Sequence, residues 1–335
     1  MKAIHASAPG KAVLCGEYAV LEGAPAVAMA VDRRARVRAE PAGEAYHRVA
    51  SPGRDMGEVA FRTGSDGTIE WLDAAGAGAD FALLEQVWRL LEPSFDTGIS
   101  LTLDTRDFYR RPGGPKLGFG SSAALAVALT AALAGERLGR GDWYGTAAEA
   151  HRRFQGGRGS GVDIAAAVHG GVIAYHMQGP RILPAIWPEG LEVALLWSGR
   201  PADTATRLER LSRARRGRES AITALVAAAR EVHARWTDGS AAVLASLGAY
   251  TKALLAFSRA CDLGVFDAGH GELTEEAPGR GLVYKPCGAG GGDIGAVFGR
   301  EIAAVAEFAR WAETRGFERL RVAPHADGVT RKTGP

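Results

Sequence analysis

Apolar positions along this chain fall into two periods and one unbroken run. Residues 80–92, Asp-Phe-Ala-Leu-Leu-Glu-Gln-Val-Trp-Arg-Leu-Leu-Glu, set apolar side chains at helical spacing, with Asp80 as the expected N-cap. Ile99–Asp104 alternates and predicts a strand. Ala12–Cys15 and Ala26–Val31 predict two strands joined by a turn. Val37–Ala39 and Arg48–Ala50 predict further strand pieces, and residues 51–68, rich in Gly, Asp and Ser, predict exposed turns. Helices are expected over 142–154, 204–236, 240–264 and 301–316, and a short one follows the turn Arg158–Val162 and stops at Gly170-Gly171. Val172–Tyr175 and Val193–Trp197 predict strands, with Leu320–Val322 and Gly328–Thr330 as closing ones. Strands and helices do not simply alternate, which predicts an α+β fold rather than a doubly wound parallel sheet. The Gln178-Gly-Pro180 turn puts an expected domain boundary near 180, giving units 1–180 and 181–335.

The unbroken run follows Lys116-Leu-Gly-Phe-Gly-Ser-Ser122, where Ala and Leu continue to Leu133 without a proline. These are strong helix formers, and a helix starting near Ser121 and apolar nearly all round should be buried. Its N-terminus then aims free N–H groups into a glycine loop, which favours an anion. Gly118 and Gly120 admit a phosphate closely, while the Ser121 and Ser122 hydroxyls suit a phosphate oxygen or a metal ion. The same stretch also reads as a serine-capped core helix with no ligand.

Composition narrows the classes. The chain has 335 residues, 47% of them hydrophobic and 23% charged, enough for one large or two ordinary domains. A net charge of +2 gives no reason to expect nucleic acid or an anionic membrane as a partner. Cys15, Cys261 and Cys287 are far apart and odd in number, which argues against a disulfide framework or zinc site and fits a reducing cytoplasm. The N-terminus has no signal-peptide core, and no uncharged apolar run is long enough to span a membrane. Arg207, Arg210, Arg213, Arg215, Arg216 and Arg218 cluster on the 204–236 segment. They read first as a solvated face and alternatively as a positive rim drawing in a phosphorylated substrate.

Two more glycine-bearing stretches accompany the anion helix. Ser7-Ala-Pro-Gly-Lys11 leads into a strand, and Lys285-Pro-Cys-Gly-Ala-Gly-Gly-Gly-Asp293 precedes the apolar Ile294–Phe298. Consecutive N–H groups without side chains can wrap a polyphosphate. None of the three stretches fits a Walker P-loop or a Rossmann fingerprint in its context.

In order and spacing, the three stretches resemble the three motifs of the GHMP kinase superfamily, over nearly the whole chain. Four details resemble its phosphomevalonate kinase family: Ala8–Gly23 with Tyr18; Asp107-Phe-Tyr109 ahead of Lys116–Ser122; Ala150-His-Arg-Arg-Phe-Gln-Gly156 followed by Gly159-Ser-Gly-Val-Asp163; and the Asp293 that ends the third motif. The resemblance implies an N-terminal domain like ribosomal protein S5 domain 2 and a C-terminal ferredoxin-like α/β sandwich. It implies transfer of a phosphoryl group from ATP, with Mg²⁺, to (R)-5-phosphomevalonate in isoprenoid precursor synthesis. A mevalonate kinase acting on an alcohol is the alternative, and a non-catalytic small-molecule binder of this fold the second. A homodimer is left open.

The implied catalytic pair is Lys11 and Asp163. Nucleotide binding falls by resemblance to Lys116, Gly118, Gly120, Ser121, Ser122, Ala123, Gly288, Ala289, Gly290, Gly291 and Gly292, and the metal to Ser122. Acceptor binding falls to Lys11, Tyr18, Ser160, Gly161, Asp163 and Arg200. Arg110 or Arg111 is a further candidate for a phosphate, while His151 and Gln155 are expected to be structural. The pattern departs from the family at Cys287, where Ser or Thr is usual, in Trp197–Thr206, and at Arg152, eleven positions before Asp163, where mevalonate kinases carry a glutamate.

Overall fold

A computed structural model describes residues 2–53, 57–72, 77–134, 138–139, 143–202, 207, 210–211 and 217–334. Among these residues the strands form two sheets. The first has nine strands. Its main path runs β13 (Thr330–Thr333), β1 (Ile4–Cys15), β2 (Ala26–Pro41), β6 (Ile99–Asp104), β3 (His47–Ala50), β4 (Val59–Thr63) and β5 (Ile69–Trp71). On a side branch β7 (Val172–His176) pairs with β2, and β8 (Arg181–Pro184) with β7. The β3–β6 pair is parallel and the rest are antiparallel, as an α+β chain requires. The second sheet has the order β10 (Val283–Pro286), β11 (Ile294–Gly299), β9 (Glu192–Trp197), β12 (Glu318–Arg319).

The helices are α1 (Ala82–Leu91), α2 (Ser121–Leu133), α3 (Trp143–Phe154), α4 (Val162–His169), α5 (Glu219–Arg235), α6 (Ser240–Ala260), α7 (His270–Glu276) and α8 (Ile302–Glu313). The unbroken apolar run is α2, whose residues from Ala126 to Leu133 are all buried against β1, β2 and neighbouring helices. Its N-terminus is thereby fixed by packing on the sheet. By length and composition α6 could cross a membrane, but it carries Lys252 and Arg259 and buries Val243, Leu247, Tyr250 and Leu254 in the protein core.

Several expectations shift. Residues 51–68 are not all turn, because Val59–Thr63 joins the sheet with Val59, Ala60 and Phe61 buried. Asp80 does not cap α1; it ends a helical turn, Ala77–Asp80, and Phe81 takes the N-cap place. The closing strands lie at Glu318–Arg319 and Thr330–Thr333. The expected break at 180 falls between β7 and β8, which pair within the first sheet. That sheet also takes β13, which pairs with β1 from Ile4↔Thr333 to Ser7↔Thr330. Arg213, Arg215, Arg216 and most of the 203–216 segment lie outside the described residues; α5 begins at Glu219.

Candidate active site

β1 carries the first motif into the centre of the molecule. Its ladder with β2 shifts register between Pro9 and Gly10, and the Lys11 N–H then donates to the Phe119 carbonyl at 2.9 Å. One hydrogen bond thus joins the first motif to the second. The Lys11 side chain runs on toward the other two motifs. A methyl group built on Gly120 would lie 3.3 Å from Lys11 Cε and 3.8 Å from Asp163 Cβ; one built on Gly288 would lie 3.8 Å from Lys11 Nζ.

At the second motif the N-cap of α2 is Gly120, with φ 77°, and no side chain caps the helix. The serine-capped alternative therefore fails. The first helical bond runs from Ala124 N to Gly120 O, so the N–H groups of Ser121, Ser122 and Ala123 precede the intrahelical ladder. Ser121 and Ser122 face a cavity of about 340 Å³ that Lys11, Lys116, Asp163 and Gly288 also line. Ala123 is buried behind them and offers only its N–H. Ser122 Oγ lies 3.0 Å from Nε2 of the buried His151, on α3. His151, expected to be structural, therefore touches the hydroxyl assigned to the metal.

Asp163 stands in the first turn of α4 behind Gly161, and its Oδ1 accepts from Ile164 N at 3.1 Å. It supports the helix start and lines the cavity at once. Ser160 lines the cavity too, while its carbonyl takes the Tyr175 hydroxyl at 2.7 Å. Apolar Val13, Val20, Leu21, Ala26 and Val162 form one wall. Tyr18 is buried at φ 61° and donates its hydroxyl to the Ala289 carbonyl at 2.7 Å, so it bridges the first and third motifs.

The third motif divides in two. Gly288 and Ala289 line the cavity, whereas Gly290, Gly291 and Gly292 do not. A side chain at 290 would strike the Val265 carbonyl, at 291 the Arg207 guanidinium, and at 292 the Arg200 carbonyl. These three glycines thus serve close packing against the rest of the protein, not only room for a polyphosphate. Asp293 returns to the cavity wall. Its Oδ1 accepts from Ala202 N at 3.0 Å and its N–H donates to the Arg200 carbonyl at 2.6 Å. Burial pushes its carboxyl above the usual range, against the pull of the Ala202 N–H, Lys11, Arg207 and Lys116. The Cys287 thiol is pushed up to about 11 by burial and is neutral at physiological pH.

Other expected residues fall elsewhere. The Arg200 side chain is exposed, and the residue contributes its carbonyl. Arg110 pairs with Glu318 at the surface at 2.5 Å, and Arg111 is exposed. Arg152 pairs with Glu149, whose carboxyl is held well below its ordinary range by that arginine and Arg153. Sequence reasoning passed over Glu17, which lines the cavity and is wholly engaged by Lys285 and Tyr250. It gave Asp293 no site role and found no signal for the buried His270.

The family GHMP kinases N terminal domain matches residues 82–171, which hold the second motif and Asp163. A curated phosphomevalonate kinase from Streptomyces sp. (strain CL190) is 32% identical over 96% of this chain and 97% of its own length. The chain belongs to the phosphomevalonate kinase family of the GHMP kinases. A mevalonate kinase from Aeropyrum pernix matches at 33% identity, but over 52% of this chain and 51% of its own. Among solved structures, Streptococcus pneumoniae phosphomevalonate kinase in complex with phosphomevalonate and AMPPNP superposes with a TM-score of 0.77 at 18% identity, covering 97% of this chain and 100% of that one. The GHMP kinase fold accounts for the arrangement just described: three separated motifs meet around one lysine.

Proposed function

We propose that this kinase transfers the γ-phosphoryl group of ATP to the phosphate of (R)-5-phosphomevalonate, giving 5-diphosphomevalonate and ADP. The observation that carries the reading is Lys11, whose side chain lies beside both Gly120 and Gly288 and lines one cavity with Asp163. An acceptor phosphate oxygen attacks the γ-phosphorus while the bond to the β,γ-bridging oxygen breaks, and ADP leaves with that oxygen. Phosphoryl transfer asks mainly for positioning and charge stabilisation, which an ammonium at the meeting point of three motifs supplies. The acceptor phosphate has a second pKa of about 6, so it is largely dianionic at neutral pH and needs no strong base. Asp163 then orients the acceptor more than it deprotonates it.

The residues present fit Mg²⁺. Ser122 offers a hydroxyl, and the carboxylates of Asp163 and Asp293 line the same cavity. A few hard oxygens suit an ion that keeps most of its shell for water and phosphate. When bound, it would neutralise charge on the triphosphate. Three buried free thiols support a cytoplasmic setting.

The test is ADP release with Mg·ATP, comparing 5-phosphomevalonate with mevalonate. Turnover only with 5-phosphomevalonate, abolished by EDTA and restored by Mg²⁺, is expected. Turnover only with mevalonate would overturn the acceptor and keep the fold.

A further inference from the structure

The loop between α3 and α4 carries Ser160 and Asp163 to the cavity on little backbone support. Gly156, Gly157, Gly159 and Gly161 have φ of 66°, 84°, 107° and 78°. Glycine enters and leaves these regions at little steric cost, so the loop's own sequence does not hold its shape. At its start the Gly156 and Gly157 N–H groups donate to the Arg153 and Arg152 carbonyls, and at its end the ladder of α4 begins with Ala165 N on the Gly161 carbonyl. Between those anchors the Ser160 carbonyl accepts from the Tyr175 hydroxyl at 2.7 Å. Among the described residues no other protein group hydrogen-bonds the Ser160–Gly161 peptide. The Ser160 hydroxyl meets the Val162 N–H only at 3.4 Å, a long contact inside the loop itself. Ser160 and Asp163, one on each side of that peptide, both line the cavity.

Tyr175 is itself held from two sides. It is buried on β7, where it pairs with Ala26 of β2 and Ile182 of β8. Its hydroxyl oxygen lies 3.0 Å from that of Tyr144, on α3. A hydroxyl has one proton and a carbonyl only accepts, so Tyr175 donates to Ser160 and Tyr144 donates to Tyr175. Burial pushes both phenols up, and the nearby Asp163 carboxylate acts the same way, so both keep their protons at neutral pH. A methyl group built on Gly161 would lie 3.0 Å from the Tyr175 hydroxyl and 3.4 Å from that of Tyr144. The two hydroxyls thus sit directly beneath the loop, and neither tyrosine lines the cavity.

We propose that Tyr175 is a positioning residue for the acceptor: its hydroxyl ties the Ser160–Gly161 peptide to β7 and so sets Ser160 and Asp163 in the cavity, with Tyr144 acting through Tyr175. The inference rests on the proposed role of Asp163 in orienting the acceptor. It leaves the N-terminus of α2 and Gly288, which face the nucleotide, unaffected.

The experiment measures steady-state KM for 5-phosphomevalonate and for ATP, affinity for AMPPNP with Mg²⁺ by calorimetry, and amide hydrogen exchange over residues 156–166, all in folded protein. Tyr175→Phe keeps the ring and removes the donor. It should raise KM for 5-phosphomevalonate by about tenfold, with KM for ATP and AMPPNP affinity within about twofold of wild type. Exchange over 156–166 should quicken by about threefold or more, with exchange in α2 unchanged. Tyr144→Phe should raise the acceptor KM by about threefold. It should add nothing further in the Tyr175→Phe background, because its effect passes through Tyr175. Unchanged acceptor KM, unchanged exchange over 156–166, or an equal rise in both KM values in folded Tyr175→Phe would overturn the proposal. Tyr144→Phe carries the same criteria if Tyr175→Phe does not fold. Full additivity of the two variants would overturn the action of Tyr144 through Tyr175. If wild type turns over neither acceptor, the proposed reaction fails, while the exchange still decides whether Tyr175 holds the loop.

Discussion

The Lys285 ammonium meets the Glu17 carboxylate at 2.5 Å, with the two side chains 0% and 1% exposed. Lys285 lies on β10 of the second sheet; Glu17 follows β1 of the first. Tyr250 of α6 donates to the other carboxylate oxygen at 2.7 Å. Burial, the largest single effect, would lower the Lys285 pKa, but the charge and hydrogen bond of Glu17, with Cys287 and Cys15 acting the same way, together turn the net shift upward. The lysine is therefore charged at neutral pH, and this stabilisation is present below its unfolded pKa and lost only as pH rises through the folded one. Removing one member strands the other charge. Lys285→Met should cost about 3–5 kcal/mol, and Glu17→Gln/Lys285→Met should recover much of that. Urea unfolding of the three variants checks it; a loss under about 1 kcal/mol for the single variant would show that the carboxylate finds another partner.

Lys11 and Asp163 should separate in kinetics. With a dianionic acceptor, Lys11→Ala removes transition-state charge stabilisation and should lower kcat by about 10²–10³. Asp163→Ala removes an orienting group and should lose less than the roughly 10² at which general-base contributions begin. Rates for both variants at saturating ATP decide it. A far larger loss for Asp163→Ala would point to an acceptor hydroxyl that needs a base.

Gly118 sits at φ 88° directly against Asp293. A methyl there would collide with the Asp293 Cβ and come within 2.5 Å of its Cγ and 2.8 Å of its Oδ2. Gly118→Ala should therefore destabilise by about 2 kcal/mol or more, from backbone strain and overpacking together. Gly118→Ala/Asp293→Gly should recover the packing part and leave the strain. Thermal unfolding of both variants reads the difference, and equal midpoints would mean that the strain alone matters.

Acid should destabilise the fold through His270. Burial pushes His270 down to about 4, with nearby Lys285 and Arg207 acting the same way and the Gly292 carbonyl opposing them. A histidine depressed in the folded state binds its proton in the unfolded chain first. Its contribution is intact above about pH 6.5 and lost as pH falls toward 4, in total about 3 kcal/mol. Urea midpoints of wild type and His270→Gln across that window should converge as pH drops. Parallel curves would show that His270 is not the group involved.

Much of this was legible in the chain itself. The Ala- and Leu-rich run from Ser121 can only be a buried helix, and Ile99–Asp104 alternates with burial as it alternates in polarity. Lys11 and Asp163 were found because their motifs are short and contiguous. β4 was missed because Val59–Thr63 sits among turn residues and half of its face is solvent-exposed. Asp80 failed as a cap because a separate helical turn ends on it. His270 carries no local signature, and the stretches that hold Lys285 and Arg207 give no sign of what those two side chains meet. Their partners lie 22, 268 and 84 positions away in the chain, and only folding brings donor to acceptor.

The pairing of β1 with β13 has a consequence for how the enzyme is made. Ile4 is translated hundreds of residues before its partner Thr333. At roughly 5–20 residues per second, the outer edge of β1 waits on the order of 15–65 s with its backbone donors and acceptors unpaired. The same strand carries Lys11. The nascent chain thus carries Lys11 on a strand whose outer edge, from Ile4 to Ser7, stays unpaired until Thr330–Thr333 has been made.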